Sequence, residues 1–96
     1  MAWVRLMRAT RRATTSVGYM TAEGNNIRAL MAAQPGYLDA IFFGSPKTRQ
    51  TGSLSIWNSE AELDAADAIL KPHHNALYNN GHIVRPAQIH KYVQLP

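Results

Sequence analysis

Directly after Pro35-Gly36 the chain reads Y-L-D-A-I-F-F-G, residues 37 to 44. Successive side chains of a strand point to opposite faces. Leu38, Ala40 and Phe42 therefore fall on one side, and Ile41 and Phe43 on the other. Both sides are apolar. A chain of 96 residues with no cysteine buries only a modest share of its surface and has no disulfide to staple it. Such a strand must be covered twice, by helices on one face and by something else on the other.

The flanking segments supply the helices. Tyr19, Met20, Ile27, Leu30 and Met31 recur at helical spacing between Val17 and Ala33. Gly24-Asn25-Asn26 interrupts them, and glycine costs about 1 kcal/mol against alanine inside a helix, so a helix is expected from Asn26 onward. Pro35-Gly36 ends it, because proline disfavours the α region for Gln34. S-L-S-I-W-N, residues 53 to 58, reads as a strand joined to 37–44 by the turn-rich loop S-P-K-T-R-Q-T-G. Ser59 with Glu62 is a capping box opening a second helix, whose buried stripe is Leu63, Ala66 and Leu70 with Ile69 beside them. Pro72 restarts a short helix that ends at Asn80-Gly81. Residues 2 to 9 and 89 to 95 are the outer strands, with His90 and Tyr92 on one face of the last and Ile89, Val93 and Leu95 on the other.

The order β-α-β-β-α-β, with an extra short helix before the last strand, predicts an α+β fold. It is a ferredoxin-like antiparallel sheet with both main helices on one face, in a single domain spanning 1–96. At roughly 25 cal/mol per Å2 of apolar surface, leaving the second face bare would forfeit several kcal/mol. A second copy of the same sheet is the expected cover, which makes the chain a homodimer.

The net charge of +4 comes from the start of the chain: Arg5, Arg8, Arg11 and Arg12 precede the first acid, Glu23. An acid-free start rich in Arg, Ser and Thr resembles an organellar transit peptide; the alternative, which we adopt, is a first strand W-V-R-L-M-R-A with its arginines at the rim or in a cavity. No continuous basic helix or stacking-aromatic motif accompanies these arginines, so nucleic acid is not an expected partner. No apolar run approaches the roughly 20 residues that span a bilayer. A soluble, cytoplasmic protein with no membrane contact is expected. The sequence contains no P-loop, no G-x-S-x-G elbow and no dinucleotide-type glycine fingerprint.

Q-P-G-Y-L (34–38), followed by S-I-W-N-S-E-A-E-L (55–63) and H-N-A-L (74–77), resembles the antibiotic biosynthesis monooxygenase-like proteins of the dimeric α+β barrel superfamily. Trp57, Ser59 and Leu63 match the family's strand-to-helix element, and the likeness covers about residues 30 to 78. It implies a dimeric α+β barrel with a pocket in each subunit between sheet and helices. It also implies oxygenase activity on aromatic, polyketide-like molecules without a cofactor, or, in another branch, haem degradation. The haem-degrading branch carries an asparagine on its first strand, which W-V-R-L-M-R-A does not.

Against that expectation the candidate residues take roles. His74 is the best proton acceptor, since its ordinary pKa lies near 6.5. His90 is the second, sharing a strand face with Tyr92, which would line the cavity or pack at a dimer interface. Trp57 would stack on an aromatic ligand or plug the core. Tyr19 and Phe42 are further aromatic contacts, and Arg5, on the opposite strand face from Arg8, would hold a phenolate or carboxylate if it points inward. His74, His82 and His90 recur at intervals of eight, but fall on different elements without a matching carboxylate, so no metal site is expected. The acids Glu60, Glu62, Asp64 and Asp67 read as a solvated helix face. The leading expectation is a monooxygenase-like oxidoreductase using a histidine base and O2 on a small aromatic or polyphenolic substrate, with no cofactor. The alternative is a non-catalytic homodimer that binds a small apolar ligand or another protein; a haem-binding relative ranks third.

Overall fold

The structure is a computed structural model describing residues 1–96. β1 (Trp3–Thr10), α1 (Val17–Ala32), β2 (Tyr37–Gly44), β3 (Gln50–Trp57), α2 (Glu60–Asn79) and β4 (Gln88–Val93) follow one another. They build one sheet in the order β2-β3-β1-β4, every adjacent pair antiparallel. This is the ferredoxin-like βαββαβ fold, with both helices on the same face.

The odd-numbered residues of β1 and β3 and Ala40 and Phe42 of β2 face the helices. Ile27 and Met31 of α1 and Leu63, Ala66 and Leu70 of α2 close over Ala40 and Trp57 to form the core, with Trp3, Leu30, Tyr37 and Phe42 packed against it. The opposite face is open. Val4 and Leu6 of β1 and Leu54 and Ile56 of β3 form its centre, flanked by Ile41 (58% exposed), Phe43 (43%) and Tyr92 (51%). The two apolar faces read from residues 37–44 are both present, and the chain itself covers one.

Local chemistry accounts for the element ends. Ser16 caps α1 by accepting from the Tyr19 amide. Ser59 caps α2 as the motif predicted: its Oγ accepts from the Glu62 amide and donates to the Glu62 carboxylate.

Several boundaries differ from the sequence reading. α1 begins at Val17, not Asn26, and runs through Gly24-Asn25-Asn26. The glycine is needed there: a Cβ on Gly24 would stand 3.2 Å from the Phe42 ring, so its absence lets the helix approach β2. Pro72 does not restart a helix but lies inside α2. Pro72 and Ala68, whose carbonyl loses its partner, are both exposed, so water can satisfy the freed group while Leu70, His74 and Leu77 anchor both sides. β3 begins at Gln50, and Leu95 lies beyond β4. Leu38 does not share the face of Ala40 and Phe42: a register shift between Tyr37 and Asp39 leaves Leu38 54% exposed and gives its place to Tyr37, which meets Trp57 edge-on at 5.7 Å.

On the open face the Phe43 ring lies over Gly52, and a Cβ at Gly52 would collide with that ring and with the Met7 carbonyl oxygen. Gly52→Ala should therefore lower stability by about 3 kcal/mol, read as a fall in the urea midpoint. An unchanged midpoint would contradict this packing.

Candidate functional site

A charged residue is wholly enclosed between the sheet and α2. Arg5 has no exposed surface. Its Nε donates to Asp67 Oδ1 at 2.8 Å and its Nη2 lies 3.1 Å from His74 Nε2. Asp67 belongs to the acidic run expected to be solvated, yet it pairs with a buried guanidinium; Glu60 and Asp64, on the outer side, pair with Lys91 instead. The sequence held a signal for this. Asp67 lies four residues after Leu63 and seven before His74, on the stripe that α2 turns inward.

An arginine has no acceptor, so His74 Nε2 accepts the hydrogen bond that Arg5 Nη2 donates, and Nδ1 carries the ring hydrogen. That Nδ1–H, together with Arg5 Nη1 and Ser53 Oγ, is buried without a protein partner. Ser53 follows the same face of β3, next to Ser55, the cross-strand partner of Arg5. The space between β1, β3 and α2 thus encloses three unmatched polar groups, at least two of them donors. Leaving such groups dry costs about 1–3 kcal/mol each, so they suit a bound polar atom, above all an oxyanion.

Burial first, and then the positive charge of Arg5, push the His74 pKa down from 6.5 to about 4; Asp67 opposes the shift and His73 adds slightly to it. Burial likewise lowers the Arg5 pKa, while the hydrogen bond and charge of Asp67 raise it. His74 is therefore neutral near pH 7, with its lone pair already engaged. It can accept a substrate proton only after Arg5 turns away.

Toward the Thr10–Gln50 end of the same sheet face lies a groove of about 520 Å3 between α1 and the β2–β3 hairpin. Phe42, Met20 and Val17 supply apolar wall, Thr51 is on the floor, and Arg11, Arg28 and Arg49 line it with no acid among the lining residues. Arg28 donates to the Ala40 carbonyl at 3.1 Å and sits 4.8 Å from the centre of the Phe42 ring. Arg11 donates to the Thr15 carbonyl at 2.6 Å, and Arg49 to the Arg11 carbonyl at 3.0 Å. None is paired with a carboxylate. Phe42 is the cross-strand partner of Ser53, so the groove and the buried cluster are neighbours on the sheet.

The sequence candidates separate. Arg5 and His74 come together, and Phe42 lines the groove. Trp57 is fully buried and donates from Nε1 to Ser55 Oγ at 2.9 Å, which places it in the core. Tyr19 stacks on His82 at 4.2 Å, away from the groove. His90 and Tyr92 stack on each other on the open face, so the sheet separates them from His74. Arg28, Arg49 and Ser53 were not site candidates, Arg11 was read only as part of the basic start and Asp67 only as part of a solvated face, because only the fold brings these positions together.

A βαββαβ layer with one bare apolar face and a groove under its helices defines a class of small α+β domains. No protein-family model matches the sequence, and no curated protein matches it. Solved structures do. SnoaB, a cofactor-independent oxygenase from Streptomyces nogalater, superposes with a TM-score of 0.79 at 14% identity, over 99% of this chain and 94% of that one. A monooxygenase from the gene ActVA-Orf6 of Streptomyces coelicolor, in complex with the ligand Nanaomycin D, gives 0.78 at 14% identity, over 99% and 88%. Rv0793 from Mycobacterium tuberculosis gives 0.76 at 14%, over 100% and 97%. At this identity the likeness is one of fold, and it is the fold that the Pro-Gly-Tyr and Trp-x-Ser resemblance implied.

The His74 shift has a measurable sign. Between about pH 6.5 and 4 the unfolded chain binds a proton that the folded chain refuses. Stability should be full above pH 6.5 and fall as the pH drops through that window, by up to about 3 kcal/mol. Urea midpoints of wild type and His74→Gln at pH 7.5 and pH 4.5 check this: the variant should lose much of the difference.

Proposed function

We propose that this chain is a cofactor-independent, monooxygenase-like oxidoreductase that takes a small aromatic or polyphenolic anion into the groove and lets it react with O2. The observation that carries the reading is the acid-free, arginine-bearing groove with an aromatic wall, adjoining buried groups without protein partners. Arginine suits it, because a planar guanidinium can hold a phenolate and lie against a ring. Phe42 would flank the rings, Arg28 and Arg49 would hold the entering anion, and Arg5 and Ser53 would receive its reacting oxygen.

For an activated CH2 beside an aryl ketone, loss of a proton gives an enolate. The enolate passes one electron to O2, the two radicals combine as a peroxide anion, return of the abstracted proton makes the hydroperoxide, and loss of water leaves C=O. One oxygen atom enters the product and the other leaves as water, with no external reductant. His74 could accept the proton once Arg5 moves onto the oxyanion. Its low proton affinity restricts this to substrates that are already acidic.

That same engaged lone pair favours a second reading, a binding protein that holds the anion without turning it over. Oxygen uptake with anthrone-like and catechol substrates separates the two. The oxygenase reading expects uptake by wild type, a KM raised about tenfold in Arg28→Met with kcat little changed, and loss of kcat in His74→Ala. Ligand binding without uptake would leave only the binder.

We also assign the open face to a second copy of this chain. Its central strands carry aliphatic side chains, which suit sheet-on-sheet packing. Sedimentation should show a two-chain species for wild type and a single chain for Leu54→Asp. A single-chain wild type at micromolar concentration would reject the pairing.

A further inference from the structure

A second pocket opens at the Thr10–Gln50 end of the open sheet face, beyond the Leu6–Leu54 centre assigned to a second copy. It measures about 300 Å3 and is lined by Arg8, Arg85, Thr10, Gln50, Gln88 and Phe43, with Ala9 and Pro86. None of these is acidic. The walls are held by backbone pairing: Arg8 lies opposite Gly52 on β3 and Gln88 on β4. The segment carrying Arg85 is tied down by the Val84 amide, which donates to the Thr10 carbonyl at 2.9 Å, and by a bridge between Arg11 and Ile83.

Neither Arg8 nor Arg85 takes part in any of the ion pairs of the fold. Three of the six acids are engaged elsewhere, Asp67 with Arg5 and Glu60 and Asp64 with Lys91, and no acid lines this pocket. Two arginines therefore share one concave site with no anionic protein group. Three neutral side chains around them, Thr10, Gln50 and Gln88, can donate as well.

We infer that this pocket is an anion site, separate from the groove, that takes a small multivalent oxyanion of the phosphate or dicarboxylate kind. Two guanidinium forks supply two positive charges and paired donors, which match two negative charges on one compact ligand. Phe43 and Pro86 supply an apolar side to the pocket. The site does not depend on the oxygenase reading, because the groove arginines take no part in it.

Isothermal titration of the full chain with inorganic pyrophosphate, inorganic phosphate and malonate tests the assignment. Wild type should bind pyrophosphate saturably, at one site per chain, with affinity falling as salt rises. Arg8→Gln and Arg85→Gln should each weaken it about tenfold or more, the loss expected for charge-assisted hydrogen bonds. Arg28→Met should bind pyrophosphate as wild type does. Tighter binding of pyrophosphate or of malonate supports the site either way and names its chemistry. Absence of saturable binding at millimolar concentration overturns the inference. So does unchanged affinity in both Arg8→Gln and Arg85→Gln when circular dichroism shows them folded. Loss in Arg28→Met alone would place the anion in the groove and equally overturn it.

Discussion

The buried guanidinium of Arg5 organises the helix face of this fold. Withdrawing such a charge from water costs several kcal/mol unless it is paired and hydrogen-bonded. Asp67 supplies the countercharge and His74 a second acceptor, two turns further along α2. These contacts set the rotation of α2 over β1, because both residues must face inward together with Leu63, Ala66, Leu70 and Leu77. They also fix the imidazole tautomer, while burial first, and then the Arg5 charge, suppresses its proton affinity. One ion pair thus connects the packing of a helix with the chemistry available beneath it.

Charge is divided between the two ends of the molecule. The acids of α2 neutralise Arg5 and Lys91, while Arg8, Arg11, Arg49 and Arg85 line pockets near the Thr10–Gln50 end without a carboxylate. Since the net charge is +4, that end keeps the excess. An anionic ligand approaching from solvent is drawn toward the pockets and away from the α2 N-terminus.

Much of the fold was legible. The Ser59–Glu62 cap, the Pro35-Gly36 stop and the alternation from Ala40 to Phe43 are short-range features, and each appears where the sequence put it; only Leu38 departs, through the shift beside Asp39. The misreadings arose where a distant residue overrode a local preference. Gly24 is a poor helix residue in isolation, but it is favoured where Phe42 must approach the helix. Pro72 reads as a helix start, yet packing of Leu70, His74 and Leu77 carries α2 through it. The site was legible only in part: His74, Arg5 and Phe42 were named for their side-chain chemistry, while Trp57 proved to be core and His90 and Tyr92 fell on the opposite face.

By itself the sequence determined the element order, the caps and the requirement that a thin sheet be covered on both faces. These follow from preferences acting over a few residues and from a composition that leaves no disulfide. Tertiary structure decided what surrounds each functional side chain. Arg5 meets Asp67 and His74 across 62 and 69 residues, and the groove gathers arginines from positions 11, 28 and 49. Whether an arginine is solvated or buried, and whether a histidine has a free lone pair, depends on neighbours brought in by strand pairing and helix packing.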